Sequence, residues 1–236
     1  MLIVSPQAWS VMPPACGFFH TIKSKTMKTF SAEDIVKKVR VKLDEIAINE
    51  SEMMETEEDN MNLNSVIKSC IPEAYRLVNS LADASLLEGL DASTSSLSIN
   101  SDLVGSVTLP ADFFRCVNVR LSSWKSSASD IIAEDSPEYR MQSNPWICGT
   151  PRLPVAALVH SKSGRVLELY KAASSDDKIQ SLTYIPVIED SATSVSISNA
   201  VANSFIYFVA ALTMATFREE IADDFFKIAR SLIGLT

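Results

Sequence analysis

The chain has 236 residues, 47% of them hydrophobic, and a formal net charge of -8 from 29 acids against 21 bases. That size and apolar content suit one large domain or two small ones with a real core, and they exclude global disorder. The acidic balance disfavours sequence-independent grip on nucleic-acid phosphate, and the two histidines, His20 and His160, leave little imidazole for acid–base catalysis.

Residues 1–26 contain no acid, three prolines (Pro6, Pro13, Pro14) and apolar residues without a period. The start lacks a basic segment and Pro13-Pro14 interrupts the apolar run, so a signal peptide is not indicated. The segment reads as a loose arm or a mis-assigned start that adds little to the fold, with one folded domain over 27–236. Ser31 and Asp34 form a capping-box pattern, and Ile35, Val39, Leu43 and Ile46 then make one apolar stripe on a helix over 32–48. Lys37, Lys38, Arg40 and Lys42 lie off that stripe, on its solvated face. Six of the ten residues 50–59 are acidic and none is basic, which predicts a mobile, exposed loop. Its spacing lacks the alternating ligands and central Gly of a calcium loop. Val66, Ile67, Cys70, Ala74, Leu77, Val78, Leu81 and Ala82 predict a second helix over 63–88, kinked or restarted at Pro72 and stopped at Gly89. The Ser-rich residues 91–102 read as a surface loop.

Strand patterns follow at 103–109, 117–121 and 182–187. Residues 155–160 and 165–171 flank Ser-Lys-Ser-Gly, a β-hairpin with Gly164 at positive φ. Prolines at 137, 145, 151 and 154 punctuate long connections. Ser196 or Ser198 caps a helix reaching Phe217, uncharged from Ala200 onward. Polar residues inside it and Glu219-Glu220 beyond it favour a buried core helix; a membrane anchor over 200–217 is the alternative. A last amphipathic helix carries Ile221, Phe225, Ile228 and Leu232 on one face. The expected fold is therefore α+β: a helical bundle of N- and C-terminal helices (32–88 and 197–234) with an inserted antiparallel β module over 103–187.

No chemistry assembles from these residues. The six glycines make neither G-x-G-x-x-G nor a P-loop, and no G-x-S-x-G elbow exists. Cys16, Cys70, Cys116 and Cys148 are too dispersed for a zinc site and read as reduced thiols. Asp223-Asp224 and Glu219-Glu220 read as the wet face of the last helix, and His160 as a strand-end residue. No cofactor, metal or catalytic residue is expected, although a small carboxylate-dependent enzyme is a further alternative. Phe113, Phe114, Trp124, Tyr139 and Trp146, interleaved with Arg115, Arg120, Lys125, Arg140 and Arg152, are weighed as a stacking platform for single strands against core packing and subunit contacts. The net charge favours the second.

Leu109-Pro110-Ala111-Asp112-Phe113-Phe114-Arg115-Cys116-Val117 resembles the L-P-x-D-F-x-R segment of phage head–tail adaptor proteins, the ring-forming connectors of short-tailed phages, crAss-like phages among them. Tyr139, Asn144-Pro145, Pro151 and Pro154 resemble the following loop, and 166–170 and 182–186 the two closing strands. The likeness covers residues 30–234 and departs at the acidic run and the first 26 residues. It implies a virion protein at the portal–tail junction, made in the host cytoplasm. Its partners would be further copies of itself in a ring, twelve-fold by that likeness, the portal protein, and downstream tail or ring proteins. DNA would pass through the lumen without specific binding, and no membrane would be involved. Asp112, Phe113, Arg115, Phe225 and Ile228 are the expected interface residues.

Overall fold

The computed structural model describes residues 27–47, 57–162, 164–217 and 219–235. The arm 1–26 and residues 50–56 of the acidic run lie outside them. In chain order the elements are β1 (Met27–Ser31), α1 (Ala32–Ala47), α2 (Glu57–Leu81), a short 3-10 turn (Ala84–Leu86), β2 (Leu90–Asp91), β3 (Leu97–Ile99) and β4 (Val104–Thr108). Then come β5 (Phe113–Leu121), β6 (Ile131–Ala133), α3 (Pro137–Met141), β7 (Ala156–Ser161), β8 (Gly164–Tyr170) and β9 (Ile179–Pro186). The chain ends with β10 (Ser194–Ser198), α4 (Ala202–Ala215) and α5 (Glu219–Ser231).

The expected helical bundle with an inserted β module is not what forms. Among the described residues the chain is a mixed α/β protein dominated by sheet, with ten strands in three sheets and five α-helices. One sheet is the antiparallel pair β1-β10, the second runs β2-β9-β5, and the third runs β3-β4-β8-β7-β6 with β6 parallel to β7. The bundle expectation failed at both ends of the strand region. Met27–Ser31 pairs with Ser194–Ser198, so Ser196 and Ser198 are strand residues, and α4 begins at Ala202 without a side-chain cap. The Ser-rich stretch contributes β2 and β3, and β6 lies in what reads as irregular connection. Strands of two or three residues leave almost no periodicity to detect.

β5 carries the division between two cores. Val117 and Ile185 face the helices, in a core with Ile35, Val39, Ile67, Tyr75, Phe205 and Phe225. Cys116, Val119, Leu121 and Leu182 face the five-stranded sheet, against Val107, Ala156, Leu167 and Leu169. The three-stranded sheet is thus a middle layer between helices and the larger sheet. Register shifts in β5, including one between Cys116 and Asn118, let Val117 point to one layer while Val119 and Leu121 point to the other. The alternation of 117–121 alone would put all three on one face.

Several local readings hold. Ser31 Oγ accepts from the Asp34 amide at 3.1 Å and donates to the Asp34 carboxylate at 2.7 Å. Ile35 and Val39 are buried, and Leu43 packs against the same core. The hairpin pairs Ser161 with Gly164, whose φ is 120°. Other readings shift. α2 starts at Glu57, inside the acidic run, continues through Pro72 and ends at Leu81. Gly89 is no helix stop: a Cβ there would lie 2.2 Å from the Tyr184 carbonyl oxygen, so Gly89 permits close passage beside β9. The uncharged C-terminal stretch yields a helix of 14 residues, and no helix among the described residues is long and apolar enough to cross a membrane.

Candidate functional site

Of the expected interface residues, Phe113 and Phe225 are sealed inside the subunit, at 2% and 1% exposure. Phe113 stacks on Tyr184 with ring centroids 5.9 Å apart, and the Arg165 guanidinium lies 5.5 Å from its ring while donating to its carbonyl at 2.7 Å. The exposed carboxylate of Asp112 accepts from the Tyr184 hydroxyl at 3.2 Å. Burial first, and then this carboxylate, raise the Tyr184 hydroxyl above its ordinary pKa. Arg115 reaches the end of α2, where its Nη1 donates to the carbonyls of Asn79 (2.6 Å), Ser80 (3.2 Å) and Ala82 (2.7 Å). Those are carbonyls the last helical turn leaves without intrahelical donors. Arg115 therefore fastens the middle sheet to α2, and Asp112 and Phe113 fasten β5 to β9, within one subunit.

α5 lies on α4. Tyr207 meets Phe225 and Phe208 meets Phe226, each at 6.1 Å between ring centroids, and Ser204 Oγ donates to the Ala229 carbonyl at 2.7 Å. The buried stripe is Ala222, Phe225, Ala229 and Ile233, whereas Ile228 and Leu232, expected beside Phe225, are exposed. Small alanines let the two helices approach, so the apolar stripe of largest residues is offset from the one that packs. α4 is thereby covered within its own subunit, and of the expected pair Phe225 and Ile228, only Ile228 is available to a neighbour.

Trp146, one of the aromatic residues for which core packing or subunit contact is expected, lies in the connection from α3 to β7, whose exposure the sequence does not show. Trp146 is 92% exposed, Leu153 77%, and Ile147 and Met141 are also exposed. This is a built knob, not a loose loop. The Ser136 side chain accepts from the Tyr139 amide at 3.2 Å, with Pro137 in the first helical turn. Asn144 Oδ1 accepts from the Trp146 amide at 3.0 Å, and Gln142 Oε1 closes the loop on the Gly149 amide at 2.9 Å. Gly149 packs so closely on Val155 that a Cβ would come within 3.0 Å of it. Backbone bonds Lys125 N to Pro151 O (2.7 Å) and Tyr170 N to Val155 O (3.0 Å) bind the far end to the sheets. At the near end Tyr139 and Tyr170 both donate to Glu168 Oε2, at 3.2 and 2.7 Å. Burial and the Glu168 carboxylate hold the Tyr170 hydroxyl protonated, far above its ordinary range.

The stacking platform does not assemble: Phe113 and Trp124 are core residues, Trp124 donating from Nε1 to the Lys171 carbonyl at 3.1 Å, while Trp146 is exposed. His160 is an exposed strand-end residue whose amide donates to Glu134 at 2.9 Å. Asp223 and Asp224 lie on the exposed face of α5, with Asp224 paired to Lys227 at 3.0 Å. Burial raises the Cys116 thiol to about 12, so it stays protonated. Among the described residues no group of three or more His, Cys, Asp or Glu side chains is arranged to hold a metal ion. No known family model and no curated protein matches this chain.

Proposed function

We propose that this chain is a non-enzymatic structural subunit of a head–tail connector ring that sits beneath a phage portal and surrounds the DNA channel. The observation that carries the reading is the Trp146 knob. A tryptophan, two aliphatic residues and a methionine are held in solvent by a hydrogen-bonded scaffold, at the expense of apolar hydration. Rigid exposed aromatic anchors of this kind supply most of the energy at protein–protein contacts. The likeness of Leu109–Val117 to the adaptor segment supplies the identity of the assembly, and the residues of that segment have a clear part in it. Arg115 ties the middle sheet to α2, while Asp112 and Phe113 hold β5 to Tyr184 of β9. A net charge of -8 suits a lumen wall past which DNA slides, because few phosphate contacts means little counterion-release binding. Negative-stain imaging of the purified protein, over rising concentration, tests the reading. Closed rings with a central opening are expected. Particles that remain single subunits, or open aggregates without closure, would count against it.

A further inference from the structure

We draw no further inference here: the strongest candidate, the cavity of about 690 Å³ between the connection from α3 to β7 and the end of β8, sets Arg140 and Lys171 against Asp102 and has its Tyr139 and Tyr170 hydroxyls already given to Glu168, so that nothing in its lining selects a class of ligand.

Discussion

Arg115 places one guanidinium on three carbonyls at the end of α2. Replacing it with Ala should cost about 1.5–3 kcal/mol, the range for hydrogen bonds made by a charged donor, read as a lowered denaturation midpoint. Lys should rescue only part, since one ammonium cannot reproduce the planar fork. Asp177 is a second hub of this kind. Although burial pushes its carboxyl up, hydrogen bonds from the Ser122 and Ser123 hydroxyls and the Ala173 and Lys178 amides outweigh it and hold the pKa below the ordinary 3.8. A depressed folded-state value means the contribution is fully present above 3.8 and is lost as pH falls through the lower folded value. The melting-temperature difference between parent and Asp177→Asn should then be constant above about pH 5 and shrink as the solution is acidified below the ordinary aspartate range. A difference that persists unchanged at low pH would mean that the carboxylate's charge is irrelevant there. Neither hub was legible in the sequence, because each joins residues more than thirty positions apart. The Ser31–Asp34 cap was legible, since its partners are three residues apart and lie in one turn.

At the scale of elements, α5 divides its apolar residues between two tasks. Phe225 at 1% exposure belongs to the subunit's core, and Ile228 at 37% belongs to its surface. Phe225→Asp should unfold the helical layer, since removing a buried phenylalanine alone costs about 3–5 kcal/mol before any charge is buried. Ile228→Asp should change stability by about 1 kcal/mol or less. Thermal unfolding followed by circular dichroism distinguishes them, and equal effects would mean that α5 does not sit on α4 as described. What sequence reasoning recovered here follows from length and period. α1, α2 and α5 carry enough turns to show a stripe, and the 156–170 hairpin has its glycine at the turn. It missed β1, β2, β3, β6 and β10, which are short or pair across the whole chain, and so mistook a sheet-dominated protein for a bundle. Trp146 was singled out in the sequence, but the exposure of its segment escaped for a related reason. Met141, Trp146, Ile147 and Leu153 obey neither a helical nor a strand period, and their exposure follows only from where Gln142, Asn144 and Glu168 fasten the segment.

Over the described residues, three layers leave Met141, Trp146, Ile147 and Leu153 exposed on the connection from α3 to β7. In the proposed ring these residues would meet a neighbouring copy, and the hydrogen bonds that fasten the segment would reduce the ordering cost of that contact. The proposed connector role requires closure: a definite particle size, not growth without limit. Sedimentation velocity of the purified protein over a wide concentration range examines this directly. The account predicts one fast, discrete boundary near twelve times the 25.9 kDa chain mass, with little material between it and the monomer. A single slow boundary at 25.9 kDa throughout, with no faster species at the highest concentration, would contradict it.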